Sequence, residues 1–209
     1  EWQGCSVLAV ASGREDSLWV GTEGAGLYHY SGGAWRHFGQ PEGLLNTYVP
    51  AVTESAAGEV WAGNFWWGGP GRLENGRFVR PAAFDEKASP VFALAPSSRE
   101  GQVLLGNCEG VFFLDPSGAA PLYQPVSQAP GGVCALTVDS SGAIWCGFTQ
   151  SGLVRIADGQ ARHYRQADGL ASDAVTSLAS DETGAIWIGT ADRGISRFKD
   201  GRFVNLRME

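Results

Sequence analysis

The tetrapeptide Ile186-Trp187-Ile188-Gly189 is one copy of a motif that recurs along the whole chain. Aliphatic residues around a tryptophan, followed by glycine, are typical of a short strand that ends at a tight turn or at a close backbone contact. The other four copies are Leu18-Trp19-Val20-Gly21, Val60-Trp61-Ala62-Gly63, Val103-Leu104-Leu105-Gly106 and Ile144-Trp145-Cys146-Gly147. Valines recur with the same step of about 42 residues, at Val7, Val49, Val91, Val133 and Val175. A fixed period of this length predicts a repeat protein of five units.

The fifth unit shows most clearly how one repeat divides into strands. Its turn segments are 181–184, 190–194 and 199–201. The apolar or alternating segments beside these turns are 174–179, 185–189, 195–198 and 202–206. Short segments separated by tight turns are typical of antiparallel strands, and no helical periodicity is present. We interpret each unit as a four-stranded blade, because a lone sheet of this size buries both faces only when neighbouring blades cover it.

The repeat predicts an all-β protein, a β-propeller of five four-stranded antiparallel blades of about 42 residues each. We expect a single domain over residues 1–209, with blades near 1–40, 41–82, 83–125, 126–166 and 167–209. The chain begins just before an inner strand and ends just after an outer one, so we expect contiguous blades and no strand-swapped clasp. A linear β-solenoid is the main alternative fold. Five blades would form either a small closed propeller or part of a larger one.

Charge and hydropathy argue against several classes of partner. The net charge is −7 and no basic stripe is present, so we expect no binding to nucleic acid or to an anionic membrane surface. No apolar run reaches the roughly 18–20 residues that cross a bilayer, so we expect no direct membrane insertion. We also expect no targeting segment, since residues 1–4 do not resemble a signal peptide.

The histidines and cysteines form no pattern for catalysis or metal binding. His37 and His163 occupy equivalent positions in outer strands and are predicted to be structural, whereas His29 occupies a strand position predicted to be solvated. Cys146 replaces aliphatic residues of the other repeats, which predicts a buried free thiol. We therefore predict no catalytic residue, no metal and no cofactor, and we do not expect an enzyme.

Longer stretches around the motif carry a family resemblance. Residues 168–178 followed by 181–190 resemble the two-component regulator propeller repeat, as do 18–22 with 26–30. The resemblance covers all five units, most closely the first, fourth and fifth. It implies an extracytoplasmic, periplasmic sensor region of a bacterial signalling protein, from a family that commonly recognises carbohydrates. Sensors of this family generally have more blades, about seven. Some propellers with similar strands are lyases, but the histidine that such a site needs on the loop face is missing here.

Loops that follow the outer and second strands of a propeller emerge on one face, and binding residues concentrate in such loops. On this chain the predicted loop face comprises 43–48, 127–132, 169–174, 22–25, 64–69, 107–109, 148–151 and 190–193. The second unit carries an insertion, 64–71, that contains Phe65-Trp66-Trp67. These aromatic rings could stack on a sugar or another apolar ligand, or they could plug the centre of the propeller or cover a blade junction. The predicted ligand-binding residues are Asn64, Phe65, Trp66, Trp67, Asn46, Tyr48, Asn107, Glu109, Asp192 and Arg193.

Two classes of function follow from these features. The first is a non-catalytic sensor module whose loop face binds a glycan or a similar small ligand. The alternative is a scaffold for protein interaction, or a fragment of a larger propeller, that self-associates through its end blades without a small-molecule ligand. An uncovered end blade would expose a large apolar patch, which favours such association.

Overall fold

A computed structural model describes residues 4–99, 101–124 and 132–206 of the chain. Over these residues the chain forms five four-stranded antiparallel sheets. The sole helical element among them is a short 3-10 turn, Gln166–Asp168. The predicted all-β architecture of five propeller blades is confirmed.

The strands follow the repeat. Blade one contains β1 (Val7–Ser12), β2 (Leu18–Thr22), β3 (Leu27–Ser31) and β4 (Ala34–Phe38). Blade two contains β5 (Val52–Glu54), β6 (Val60–Ala62), β7 (Gly71–Glu74) and β8 (Arg77–Val79). Blade three contains β9 (Ala93–Pro96), β10 (Val103–Gly106), β11 (Val111–Asp115) and β12 (Gly118–Tyr123). Blade four contains β13 (Val133–Val138), β14 (Ile144–Phe148), β15 (Gly152–Ala157) and β16 (Gln160–Tyr164). Blade five contains β17 (Val175–Ser180), β18 (Ile186–Thr190), β19 (Ile195–Lys199) and β20 (Arg202–Leu206).

Each sheet is built from four strands that follow one another in the sequence. No described strand of one blade joins the sheet of another, so the predicted absence of a strand-swapped clasp is confirmed for the described part of the chain. The first two strands of blades one, four and five share a register shift just after the repeated valine. A bulge of this kind bends the strand and redirects its side chains, so the position of the valine is set locally in each blade.

The chain groups into two compact units. The first comprises Glu1–Asn107 with Phe112–Leu122, and the second Cys108–Val111 with Tyr123–Glu209. In the first unit the inner strand β1 contacts β5, and β5 contacts β9. In the second unit β13 contacts β17. Within each unit, successive blades therefore pack through their inner strands.

The blade junctions contain the hydrophobic cores. Between blades one and two, Trp19, Leu27 and Phe38 pack with apolar residues that include Val52 and Phe78. Burial of one such side chain contributes about 1.5–3 kcal/mol relative to exposure. The equivalent junction between blades four and five buries the following residues: Trp145, Leu153, Tyr164, Ile186 and Ile188.

The glycine of the repeated motif permits these junctions to close. A Cβ atom on Gly21 would lie 2.5 Å from the carbonyl oxygen of Val49 in the next blade. The same atom on Gly147 would lie 2.5 Å from Cγ1 of Val175. Any side chain at these positions would push adjacent blades apart, which explains why glycine and valine repeat with the same period.

The tryptophan of the motif is held by a carboxylate in three blades. In blade five, Trp187 Nε1 donates to Asp181 Oδ2 at 2.8 Å. Trp145 Nε1 donates in the same way to Asp139 in blade four, also at 2.8 Å. In blade one the acceptor comes from the next blade, because Trp19 Nε1 donates to Glu54 Oε2 at 3.0 Å. This hydrogen bond orients the indole ring in the junction.

The buried thiol predicted at Cys146 is confirmed. Cys146 is a free cysteine with no exposed surface, and burial raises its pKa. Cys134 is also free, and burial raises its pKa to about 11. Its thiol donates to the carbonyl oxygen of Val175 at 3.1 Å. Both thiols therefore stay protonated near neutral pH and belong to the packing of the second unit.

Replacing Asp181 with asparagine should destabilise the second unit in a pH-dependent way. Hydrogen bonds from the Thr183 hydroxyl, the Trp187 indole and the Ala185 backbone lower the pKa of Asp181. A lowered folded-state pKa contributes stability above the unfolded value of about 3.9, and this contribution disappears as the pH falls through the folded-state pKa. Thermal melts of wild type and Asp181→Asn should therefore differ at pH 7 and converge under acid conditions. Equal melting temperatures at pH 7 would contradict the assignment.

Ser55→Asp should stabilise blade two. Ser55 is equivalent to Asp139 and Asp181, and its hydroxyl accepts from the Glu59 backbone N–H at 3.1 Å. The serine does not bond to the indole of Trp61, whose buried Nε1 has no hydrogen-bond partner among the described residues. An aspartate would keep the first contact and reach the indole, so urea unfolding should show a gain of about 1 kcal/mol. Ser55→Ala is the control and should lower stability, because it removes the existing acceptor.

Candidate functional site

The insertion of blade two is anchored by a buried asparagine. Asn64 Oδ1 accepts from the Trp66 backbone N–H at 3.4 Å, and its Nδ2 donates to the Trp67 carbonyl at 3.3 Å. Its own carbonyl accepts from the Val91 N–H at 2.8 Å. Both polar ends of the side chain therefore hold the backbone of the loop, as in an Asx turn. The structure places Asn64 beneath the loop as its support.

Phe65 packs into an aromatic cluster at the base of the loop. Its ring lies 4.6 Å from that of Tyr48 and 5.8 Å from that of Phe92, measured between centroids. Tyr48 precedes the inner strand of blade two, and Phe92 precedes that of blade three. Trp66 meets the other side of Phe65 edge-on at 5.2 Å. Aromatic pairs of this kind contribute about 0.5–1.5 kcal/mol beyond their buried area, so Phe65 fixes the loop to both neighbouring segments.

Trp66 and Trp67 extend from this base into solvent. Their side chains are 57% and 64% exposed, although tryptophan is mostly buried in folded proteins. Two adjacent indoles at the tip of an anchored loop offer flat apolar surfaces to a ligand. The three aromatic residues of the insertion therefore differ in role, since Phe65 packs below while the two tryptophans remain accessible.

A second segment, residues 80–90, lies against the insertion. The Gly68 N–H donates to the Ala88 carbonyl at 2.9 Å. A Cβ on Gly69 would lie 3.1 Å from the Phe84 ring, and a Cβ on Gly68 would lie 3.3 Å from Nη2 of Arg80. The exposed guanidinium of Arg80 is thus a charged group beside the loop. Arg80 is absent from the predicted loop face, although its segment follows an outer strand and obeys the same rule that assigned the other loops to that face.

The remaining predicted residues of the first unit have structural contacts of their own. Asn46 Oδ1 accepts from the Tyr48 backbone N–H at 2.7 Å, so Asn46 shapes the turn that presents Tyr48. Asn107 is buried at the end of β10. Tyr48 contacts the aromatic insertion through the ring of Phe65.

Three predicted residues belong to the second unit or border it. Glu109 is exposed and lies in the 108–111 segment of that unit. Arg193 Nε lies 3.6 Å from Asp192 Oδ2, and the Arg193 N–H donates to the Thr190 hydroxyl at 3.2 Å. Both charged side chains of this pair are more than half exposed, so the ion pair adds little stability. Residues 127–131 of the predicted loop face lie outside the described residues.

The histidines have local partners in the sheets. His37 Nε2 donates to the Ala25 carbonyl at 2.9 Å, and His163 Nε2 lies 3.1 Å from the Tyr123 hydroxyl. His29 was predicted to be solvated, but it is half-buried and stacks on Trp19 with ring centroids 3.9 Å apart. Burial lowers its pKa. The prediction for His29 was wrong because the ring faces its cross-strand neighbour Trp19.

The same cross-strand position carries arginine in three other blades. The guanidinium carbon lies 5.5–5.8 Å from the centroid of the tryptophan ring in each of these pairs: Arg72 with Trp61, Arg155 with Trp145, and Arg197 with Trp187. A cation over an indole face is favourable by about 0.5–1 kcal/mol at a partly exposed site. In these four blades, the residue at the position of His29 therefore packs on the motif tryptophan.

The described residues hold neither a cluster of metal-ligating side chains nor a membrane-spanning helix. Across residues 4–99, 101–124 and 132–206, no three His, Cys, Asp or Glu side chains gather closely enough to hold a metal ion. Within the same ranges, no helix has the length and apolar character needed to cross a membrane.

A segment of blade five is similar to a known protein repeat. The profile described as Two component regulator propeller matches residues 169–192, which contain the first two strands of blade five. This segment of blade five is therefore similar to the two-component regulator propeller repeat. This match confirms the predicted resemblance for residues 169–192. No curated protein sequence matches the chain.

Solved structures share the fold of this chain. The extracellular domain of BT3049, assigned to a hybrid two-component system of B. thetaiotaomicron, is 19% identical with a TM-score of 0.77, and the match covers 98% of this chain and 28% of that one. The extracellular domain of BT4673, assigned to the same class of system in B. thetaiotaomicron, is 20% identical with a TM-score of 0.74 and coverages of 92% and 27%. The chain thus spans little more than a quarter of either extracellular domain. Virginiamycin B lyase from Staphylococcus aureus is 13% identical with a TM-score of 0.75 and coverages of 97% and 70%.

Phe65→Ala and Trp67→Ala should separate the supporting and exposed parts of the loop. Loss of the half-buried Phe65 ring removes contacts with Tyr48, Trp66 and Phe92, and should lower the free energy of unfolding by about 1–2 kcal/mol. Loss of the exposed Trp67 ring should change it by less than about 0.5 kcal/mol. Urea denaturation followed by circular dichroism measures both values. Equal effects of the two substitutions would contradict this division.

Proposed function

We propose that the chain is a non-catalytic ligand-binding sensor module and that the insertion of blade two binds a carbohydrate. The observation that carries the proposal is the exposed pair Trp66 and Trp67 on an anchored loop. Indole faces pack against the C–H faces of sugar rings, and an arginine can donate hydrogen bonds to their hydroxyl groups. Arg80 beside Gly68 is placed to do so.

The anchoring of the loop supports a binding role. Exposed aromatic rings on a mobile loop would lose conformational freedom on binding, and this loss weakens affinity. Here Asn64 and Phe65 hold the loop before any ligand arrives, so the two indoles are already positioned. Tyr48 and Phe92 extend the support to the segments on either side.

The sensor role and an extracytoplasmic, periplasmic location rest on similarity. The repeat of blade five matches the two-component regulator propeller profile, and the similar domains of BT3049 and BT4673 are extracellular. A non-catalytic role is supported by the histidines, each of which has a partner within its own unit. On this proposal the chain detects a glycan outside the cytoplasm.

A glycan array tests the proposal. Fluorescently labelled wild-type chain should bind a subset of neutral oligosaccharides, and each hit should be confirmed by isothermal titration calorimetry with that oligosaccharide. Trp67→Ala and Trp66→Ala should each weaken binding by about five- to tenfold, since one aromatic stacking contact contributes roughly 1–1.5 kcal/mol.

The matched control is Trp35→Ala, which removes an exposed tryptophan from the outer strand of blade one. It should leave glycan affinity unchanged. Arg80→Ala should weaken binding without changing stability, because its side chain is exposed. Failure of the wild-type chain to bind any glycan, or equal affinity of wild type and Trp67→Ala, would refute the carbohydrate site.

A further inference from the structure

The loop between β2 and β3 of blade one is paired with the segment that carries Tyr48. Glu23 in this loop and Tyr48 form an isolated antiparallel bridge. The bridge is flanked by two backbone hydrogen bonds: Gly24 N–H to the Thr47 carbonyl at 3.1 Å and Val49 N–H to the Thr22 carbonyl at 3.0 Å. Because these bonds join the neighbours of the bridged residues, Glu23 and Tyr48 form a non-hydrogen-bonded pair, the arrangement that brings opposite side chains closest.

A continuous row of side chains therefore runs from blade one to the insertion of blade two. Opposite residues of an antiparallel pair point to the same face, so the Glu23 side chain lies beside that of Tyr48. The Tyr48 ring lies 4.6 Å from the Phe65 ring, and the Phe65 ring lies 5.2 Å from that of Trp66, measured between centroids. The row has a carboxylate at one end and an exposed indole at the other.

Glu23 and Phe65 occupy the same position of the repeat. Each directly follows a residue whose carbonyl accepts from the N–H of the next blade's repeated valine. Blade two presents an aromatic ring at this position, whereas blade one presents a carboxylate. Tyr48 lies between the two, since it pairs with Glu23 through the backbone and contacts Phe65 through its ring. The polar and aromatic parts of the row are therefore adjacent.

The polar ends of Glu23 and Tyr48 are available to a ligand. Glu23 is exposed and Tyr48 is half-buried. Across residues 4–99, 101–124 and 132–206, neither the Glu23 carboxylate nor the Tyr48 hydroxyl has a hydrogen-bond or ion-pair partner. Their backbones are nevertheless fixed, because the Glu23 N–H donates to the Ser6 carbonyl at 2.9 Å and the Tyr48 N–H donates to Asn46 Oδ1 at 2.7 Å. The two polar groups are thus held side by side on fixed backbone.

We propose that the carbohydrate surface extends across Tyr48 to Glu23 and binds an uncharged oligosaccharide rather than a monosaccharide. This inference rests on the proposed function, since it assigns a second subsite to the same surface. One sugar unit packs on the exposed indoles of the insertion. Another unit donates hydroxyl hydrogen bonds to the Glu23 carboxylate and forms a hydrogen bond with the Tyr48 hydroxyl. Glu23 is then a specificity-determining residue of the site.

The chemistry of a carboxylate explains the choice of ligand. Its two oxygens accept hydrogen bonds from hydroxyl groups, which a neutral sugar presents on neighbouring carbon atoms. Hydrogen bonds to a charged acceptor are roughly twice as strong as those between neutral groups. The same charge repels a sugar unit that carries a carboxylate or a sulfate. Glu23 therefore selects for an uncharged unit at this end of the row.

Isothermal titration calorimetry with sugars of different length tests the extension. The probes are cellotriose, mannotriose, xylotriose and maltotriose, together with every neutral oligosaccharide that binds on the glycan array. Each is compared with its constituent monosaccharides. Wild type should bind at least one oligosaccharide more than about tenfold more tightly than its monosaccharides, because one molecule then contacts both ends of the row.

Two conservative substitutions test the second subsite. Glu23→Gln should weaken binding of that oligosaccharide by about five- to tenfold, because a neutral acceptor replaces a charged one. Tyr48→Phe should weaken it by about two- to tenfold, because one hydrogen bond is lost while the ring contact with Phe65 remains. Both variants should unfold in urea like wild type, since neither substitution removes a packing contact.

The matched control is Glu15→Gln. Glu15 is an exposed carboxylate in the turn between β1 and β2, at the opposite end of blade one from Glu23. The substitution changes the net charge by the same amount as Glu23→Gln. It should leave the affinity for the oligosaccharide unchanged, which separates a local contact from a general effect of charge.

Two outcomes would overturn this inference and leave the carbohydrate site of the insertion in place. One is equal affinity of wild type for oligosaccharides and their monosaccharides. The other is unchanged affinity of Glu23→Gln for the oligosaccharide that binds most tightly. In either case Trp67→Ala would still weaken binding, because the sugar would contact the indoles without reaching Glu23. A wild-type chain that binds no sugar would overturn this inference and the proposed function together.

Discussion

The close contact between a glycine in one blade and a valine in the next is the constraint on which the blade packing depends. A Cβ on Gly21 or Gly147 would come within 2.5 Å of the following blade. This approach brings the tryptophan of the earlier blade against the apolar strands of the later one, and the cores at the junctions form there. Side-chain packing at the junctions joins successive blades within each unit, and hydrogen bonds such as those from Trp19 to Glu54 and from Cys134 to the Val175 carbonyl cross the same junctions.

The strands and their order could be predicted because every blade must pack against its neighbour through the same motif residues. Tryptophan, glycine and valine recur wherever a blade must cover its neighbour, so their period reports the fold directly. The buried state of Cys146 followed from the same logic, since it occupies a position that is aliphatic elsewhere. The His29 position was misjudged because strand alternation gives the face of a residue but not its contact with the cross-strand tryptophan.

The loops were less predictable because no repetition constrains them. The insertion stood out by its three aromatic residues, yet their division into a packed Phe65 and two exposed tryptophans depends on the positions of Tyr48 and Phe92. Asn64 looked like a ligand contact, but its buried side chain is used by the loop backbone. Arg80 directly follows the outer strand of blade two, so the rule for loops that follow outer strands could have found it, but its contact with Gly68 forms only in the folded chain.

The hydrogen bond between Trp19 and Glu54 makes blade one depend on the next blade, because the acceptor for its motif tryptophan comes from blade two. Blades four and five supply both partners of the equivalent bond from their own sequence, so a duplicated copy of either would carry its indole acceptor with it. Blade one has Gly13 at that position, and a Cβ there would collide with Ser17 and with Glu54 itself. Blade one is therefore matched to the blade that follows it. A duplicated blade four or five would keep this hydrogen bond in any position, whereas a copy of blade one would keep it only with blade two beside it.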